Sequence, residues 1–296
     1  MGLLNDYMDS THSKIVSESP KGKGQAARLS KQHVKAGGAA GIWSEEAFSH
    51  DGNIRDAAEM VFNEISKKCP GRKFRQRKTI PKSEIHQRLR KIDSRLGNEL
   101  FVSTASIKPD GRVLEVQDNN GNWRVILIGE SKHQGNDIAN IKAGKRTADV
   151  EKKGQYVMAA GNAIERVHKN IQEAKNFMLN ERHFPYAVFL QGSNFAVETV
   201  KVTWPRGPVI EIAPHDSNLN RIDRVTAANY GMPINKNYCK NIIIDVNGAN
   251  IMLQSASIFA RHDLWPLKEM CQIMWDIAIT SLNLLDDDIP SCLTTE

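Results

Sequence analysis

Asp110 follows Pro109, and further along the chain Glu130 and Lys132 bracket Ser131. Carboxylates are hard oxygen ligands of the kind Mg²⁺ takes, and Mg²⁺ completes its shell with waters and phosphate oxygens. A Lys beside such an ion can orient or help deprotonate an attacking water and offset negative charge growing on a phosphate. The pattern is sparse, because Glu-x-Lys recurs at Glu151-Lys152-Lys153 and at Glu173-Ala174-Lys175. Context separates the three. Glu151 lies in a polar, Lys-rich stretch, and Glu173 lies on a helix, where positions two apart do not face each other. Glu130 follows the apolar run Val125-Ile126-Leu127-Ile128, where charge is costly without a purpose. A partly exposed salt bridge at a strand end uses the same residues, so spacing alone leaves both readings open.

These side chains meet only if a hairpin positions them. Arg112 to Gln117 alternates and is β-branched, 118–122 is a turn cluster, and Trp123 to Gly129 reads as a strand buried on both faces. Pairing Val116 with Val125 makes partner numbers sum to 241 and sets Asp110 opposite Ser131. Glu130 and Lys132 then share one face of the strand. A helix is expected over Gln155 to Leu179, with Ala160, Ile164, Val167, Ile171, Ala174 and Met178 along one face. Further helices are expected over Asp56 to Cys69, stopped by Pro70-Gly71, over Pro81 to Lys91, and over Trp265 to Leu285. Pro185 to Gln191, Phe195 to Val202 and Asn241 to Val246 read as strands. This order predicts an α/β fold with a mixed sheet. Residues 1–40 lack apolar periodicity and read as an extension or arm, leaving 41–296 as one large domain.

The long helix carries a second face, with Asn162, Glu165, Arg166 and Lys169 opposite its apolar stripe, and its amino end from Met158 to Ala163 is built of small residues. Asn can bond adenine N6 and N7, Arg can bond guanine O6 and N7, and Glu can accept from an exocyclic amine. Such a helix could enter a major groove, although the same residues are common on solvated helix faces. Gly161 inside the helix would cost about 1 kcal/mol against Ala, which favours close approach to a ligand. Arg221 and Arg224 could face DNA or form surface ion pairs. The chain carries +6, and twelve of its Lys and Arg fall between Lys67 and Arg95 against two acids, Glu84 and Asp93. That block suits phosphate neutralisation or a solvated basic surface equally well.

No apolar run approaches the roughly 20 residues needed to span a bilayer, and the amino end has no signal-peptide core. Cys69, Cys239, Cys271 and Cys292 are isolated, so structural zinc and a disulfide scaffold are not expected and a reducing cytoplasm fits. The histidines show no metal-ligand spacing, and His133 reads as structural or supporting.

Five strings in order carry a resemblance: SIKPDG at 106–111, GESKHQG at 129–135, MAAGNAIER at 158–166, HKN at 168–170 and LNRIDRVTAANYGMP at 219–233. Together they resemble the EcoRI/RsrI-type type II restriction endonucleases of the PD-(D/E)XK superfamily, over roughly Gln25 to Leu282. The resemblance implies a restriction-endonuclease-like fold: a central mixed five-stranded sheet flanked by helices, with protruding DNA-wrapping arms. It implies a homodimer that cuts both strands of double-stranded DNA at GAATTC with Mg²⁺, leaving 5′ overhangs, beside a cognate adenine-N6 methyltransferase. Carried onto this chain, Asp110, Glu130 and Lys132 are catalytic, with Asp110, Glu130 and the Ser131 carbonyl on the metal. Met158, Ala159, Gly161, Asn162, Ala163, Glu165, Arg166, Arg221 and Arg224 serve base recognition. Lys108, Gln134, Lys169 and Asn170 serve the phosphate backbone or its support. The departures are a longer amino end over 1–24, a different loop from Ile138 to Tyr156, and Asn136 where the family can carry Lys. The alternatives are a non-catalytic sequence-specific DNA-binding protein and a structure-specific repair nuclease of the same superfamily.

Overall fold

The computed structural model describes residues 45–97, 102–144, 157, 160–181, 183–205, 207–222, 243–246, 248–252 and 256–285. In chain order the elements are α1 (Glu45–Lys68), β1 (Phe74–Arg77), β2 (Ile80–Pro81), α2 (Lys82–Ile92), β3 (Ser106–Ile107), β4 (Val113–Gln117) and β5 (Trp123–His133). They continue as α3 (Asp137–Lys142), α4 (Gly161–Phe177), β6 (Tyr186–Gln191), β7 (Val200–Thr203) and β8 (Val209–Ile212). The last are β9 (Ile243–Val246), β10 (Ala249–Met252), β11 (Ala256–Arg261) and α5 (Leu267–Leu284).

The central sheet has five strands in the order β1-β4-β5-β6-β11. Its first half is antiparallel, and β5, β6 and β11 run parallel, so the mixed α/β sheet expected from the element order is present. One face buries Ile164, Val167 and Ile171 of α4 against Val125, Ile128, Tyr186 and Val188. The other buries Ile54, Ala57, Ala58 and Val61 of α1 and Met270, Met274 and Ile277 of α5 against Ile126, Leu127, Ala187 and Phe189. A smaller third core joins Ile138 and Ile141 of α3 to Val200, Val202 and Ile212 of the β7–β8 hairpin.

The alternation along β5 breaks in the middle. Val125 and Ile128 lie in one core, while the adjacent Ile126 and Leu127 both lie in the other. The cause is a bulge opposite Leu114/Glu115: Glu115 pairs with Val125 and Leu114 with Leu127, which leaves Ile126 unpaired. An extra residue reverses the phase of every side chain beyond it. Beyond the bulge Val113 pairs with Ile128, which restores the expected sum at the end where Asp110 and Glu130 lie. Nearer the turn Val116 pairs with Arg124, not Val125.

Other boundaries moved. α1 begins at Glu45, eleven residues before the expected Asp56. β5 continues to His133, so Glu130 and Lys132 stand on the strand itself. α4 begins at Gly161, not Gln155. The expected strand from Phe195 to Val202 resolves into a 3₁₀ turn at Ser193–Phe195 and strand β7. Pro266 caps α5, because a proline with extended backbone cannot sit inside the helix. Cys69 is disulfide-bonded to a cysteine outside the described residues, against the expectation of isolated thiols, while Cys271 is free and buried. The expected arm at 1–40 and most of the loop to Tyr156 lie outside the described residues.

Candidate active site

Two glycines let the β4 end approach β5. The Gly111 amide donates to the Gly129 carbonyl at 2.9 Å, and a Cβ on Gly111 would lie 3.0 Å from the Gly129 Cα. This contact brings Asp110 beside Ser131, whose amide donates to Asp110 Oδ2 at 3.4 Å. Lys132 Nζ lies 2.7 Å from Asp110 Oδ2, 2.5 Å from Glu130 Oε1 and 2.6 Å from the Ser131 carbonyl. The structure therefore gathers Asp110, Glu130, Ser131 and Lys132 at one point. Glu130 also accepts from Asn170 Nδ2 of α4 on Oε1 at 2.9 Å and from the Tyr186 hydroxyl on Oε2 at 3.4 Å.

Burial sets the electrostatics. Glu130 is 1% exposed, and burial pushes its pKa up, an effect Lys132 opposes and Asp110 reinforces. Burial would lower Lys132, but Glu130 and Asp110 outweigh it and hold the ammonium above its usual range. Lys132 is thus a charged donor placed between two carboxylates.

A third carboxylate adjoins the cluster. Ser131 faces α1, where its hydroxyl donates to Asp51 Oδ1 at 2.7 Å. Burial raises the Asp51 pKa, and Asp110 adds to the rise. Next to it, His50 bonds the Phe189 carbonyl through Nε2 at 3.1 Å and stacks edge-on with His133. Neither His50 nor Asp51 is a sequence-predicted site residue, because the helix was started at Asp56. The signal was present: extending the stripe of Ile54, Ala58, Val61 and Ile65 back by one turn lands on His50. His133 is held by Asn136 Oδ1 at 2.6 Å and Gln191 Nε2 at 3.1 Å.

Along α4, Asn162, Glu165 and Arg166 are exposed, while Ala163 packs partly against the core. Met158, Ala159 and Arg224 lie outside the described residues. Gly161 is the first helical residue, not an interior one, so the interior-glycine argument fails. The close approach there is by Arg221: a Cβ on Gly161 would lie 1.7 Å from its Nη1. The same guanidinium reaches Glu165 Oε1 at 3.6 Å. Among the expected backbone residues, Lys108 is exposed and Lys169 pairs with Glu173 at 3.8 Å. Asn170 supports Glu130, and the Gln134 amide donates to the Gln191 carbonyl at 2.9 Å.

Four cations of the basic block from Lys67 to Arg95 are used inside the fold, while Lys67, Lys68, Lys73, Lys78, Arg90, Lys91 and Arg95 are exposed. Arg75 and Arg77 pair with the fully buried Glu115 at 2.5 and 3.4 Å. Arg77 also holds Glu84 at 2.6 Å, Lys82 reaches Glu173 of α4 at 2.8 Å, and Arg88 lies 3.8 Å over the Phe177 ring. These cations dock α2 and β1 onto the body.

Residues 36–291 match the family model described as restriction endonuclease EcoRI. The chain is similar to the type II restriction enzyme RsrI of Cereibacter sphaeroides, with 48% identity over 269 residues, 91% of this chain and 96% of that enzyme. It is also similar to the type II restriction enzyme EcoRI of Escherichia coli, with 48% identity over 277 residues, 93% of this chain and 99% of that enzyme. Matches of this extent define a type II restriction enzyme, a deoxyribonuclease, which removes the reading as a non-catalytic binder. The chain belongs to the EcoRI family of restriction endonucleases. Enzymes of this kind are generally Mg²⁺-dependent and act on DNA. No helix among the described residues is long and apolar enough to cross a membrane.

Proposed function

We propose that this enzyme is a homodimer that cuts double-stranded DNA at GAATTC, between G and A on each strand, with Mg²⁺ as cofactor. The observation that carries the proposal is the convergence of Asp110, Glu130 and Lys132, with Lys132 Nζ within 2.7 Å of both carboxylates. A two-fold dimer sets each subunit against one half of a palindrome.

Asp110, Glu130 and the Ser131 carbonyl would hold the metal, and this all-oxygen donor set fits Mg²⁺. Two carboxylates and one carbonyl leave room in the shell, which suits an ion that keeps waters and takes phosphate oxygens. When bound, the ion supplies Lewis acidity and neutralises phosphate charge. Lys132, held as an ammonium, orients the attacking water and faces the negative charge that grows on the phosphate oxygens. Water attacks in line, the bond from phosphorus to the 3′ oxygen breaks, and the 5′-phosphate stays on the overhang. Asn170 and Tyr186 fix Glu130 so that its carboxylate need not reorganise during the step.

The reader is the segment from Met158 to Arg166, with Asn162 towards adenine and Arg166 towards guanine, assisted by Ala159, Gly161, Ala163, Glu165, Arg221 and Arg224. Lys108, Gln134 and Lys169 lie towards the backbone, and 1–40 and the loop to Tyr156 form the arms. A methyl on adenine N6 removes a donor and adds bulk at the edge read by Asn162. A partner adenine-N6 methyltransferase would protect host DNA in the bacterial cytoplasm in this way.

A plasmid with one GAATTC site tests this reading, digested with Mg²⁺, with EDTA, and after N6 methylation at that site. The expected result is one linear product with ends inside GAATTC, formed only with Mg²⁺ and only from unmethylated plasmid. Discrete ends elsewhere would contradict the assigned target, and cutting set by DNA shape would favour the repair-nuclease reading.

A further inference from the structure

The start of α4 and the end of β5 belong to separate layers, yet one buried side chain bridges the path between them. Ala160, the residue before α4, receives no capping bond from its own side chain. Its amide donates instead to Asn218 Oδ1 at 2.6 Å, from the helical residues 216–222. A helix start has orphan amides, and this one is satisfied from another segment. The Asn218 Nδ2 then donates to the Asn194 carbonyl at 2.7 Å. Asn218 is 1% exposed and Asn194 is 2% exposed, so neither bond competes with bulk water.

The path continues to the catalytic strand. The Asn194 amide donates to the Gln134 carbonyl at 3.1 Å, and the Ser193 amide to the Gly135 carbonyl at 2.9 Å. The seam is tight: a Cβ on Gly192 would lie 2.4 Å from the Gln134 carbonyl oxygen. Gln134 stands two residues beyond Lys132. Segment 216–222 also grips the next residue of α4, through Arg221 over Gly161, and is anchored by Ile222, 1% exposed in the core.

We infer that Asn218 is a positioning residue that couples the DNA-reading tip of α4 to the strand bearing Glu130 and Lys132. This rests on the reading role proposed for α4. A displaced tip pulls on Asn218, Asn194 and the 134–135 backbone, and so shifts Lys132. A wrong base pair would then be penalised in the cleavage step as well as in binding.

The test uses full-length enzyme variants Asn218→Ala and Asn218→Asp. The second keeps the acceptor for the Ala160 amide and loses the donor to Asn194, so it serves even if the first folds poorly. Equilibrium binding in EDTA and single-turnover cleavage at saturating enzyme are measured on GAATTC and on duplexes with one altered base. Both variants are expected to bind GAATTC within about threefold of the unaltered enzyme and to cleave it at least about tenfold more slowly. Discrimination in the cleavage rate should fall by about tenfold. Unaltered cleavage and discrimination would overturn the inference, as would equal loss of binding and cleavage, which marks simple support of the tip. Asn162→Ala and Arg166→Ala run alongside. If they leave discrimination unchanged, the reading role of α4 fails and takes the inference with it. If they impair it, either of the first two outcomes overturns the inference alone.

Discussion

Glu130 and Lys132 are two residues apart, and each needs the other. A buried carboxylate alone would be pushed towards its neutral form, and a buried ammonium likewise; side by side, with Asp110, Lys132 stays charged. His50 beside them is buried without such a partner. Burial lowers its pKa from 6.5 to about 4, and its Nδ1 has no hydrogen-bond partner. A base whose folded pKa is depressed contributes stability above the unfolded pKa and loses it as pH falls towards the folded value. Between pH 6.5 and 4 this histidine should withdraw up to about 3 kcal/mol of folding stability. Burial shifts His183 in the same direction. Urea midpoints across that range should fall more steeply for the unaltered enzyme than for His50→Gln, and parallel curves would contradict the assignment. At this scale the approach of Asp110 to Glu130 and Lys132 was legible in outline, because a turn between two strands brings their far ends together. Asp51 was not, because its link to Ser131 runs between elements 80 positions apart, and no local period records such a contact.

At the scale of elements, β5 decides which face carries the chemistry. Strict alternation from Val125 would put Gly129 and Ser131 on the α4 face, and Glu130 and Lys132 under α1. The unpaired Ile126 reverses this, so Glu130 meets Asn170 of α4 and Ser131 meets Asp51 of α1. A continuous apolar run reads the same with or without a bulge, so the sequence pattern was silent on it. The expected register therefore failed near the turn and held at the catalytic end. The start of α4 misled for a related reason: small residues tolerate both helix and loop, and the stripe was extended back through 155–160. Gly161→Ala tests what that start is for. The nearest atoms the new Cβ would meet are the far end of a flexible Arg221, which can turn aside. The variant should therefore melt no lower than the unaltered enzyme while its preference for GAATTC over one-base variants falls at least about tenfold. Unchanged preference, measured by competition binding, would show that the seat of Arg221 is immaterial.

Across the whole molecule, charge is divided between two uses. Part of the basic block docks α2 and β1, through Glu115, Glu84 and Glu173, and seven of its twelve cations stay exposed. Composition could locate those cations but not their partners, since Glu115 and Glu173 lie far away in sequence. The mixed sheet with helices on both faces was legible because helical and strand periods alternate along the chain. The β7–β8 hairpin with α3 was not, since its strands are short and its core is small. With the proposed roles, α4 and its neighbours bind and the far end of β5 cleaves, so the two functions should separate. Lys132→Ala is the most direct test, measured as GAATTC affinity in EDTA and as single-turnover cleavage with Mg²⁺. Affinity should stay within about threefold of the unaltered enzyme, and cleavage should slow by at least about a thousandfold. Cleavage at a comparable rate would contradict the proposed roles and remove Lys132, with its two carboxylates, from the chemistry.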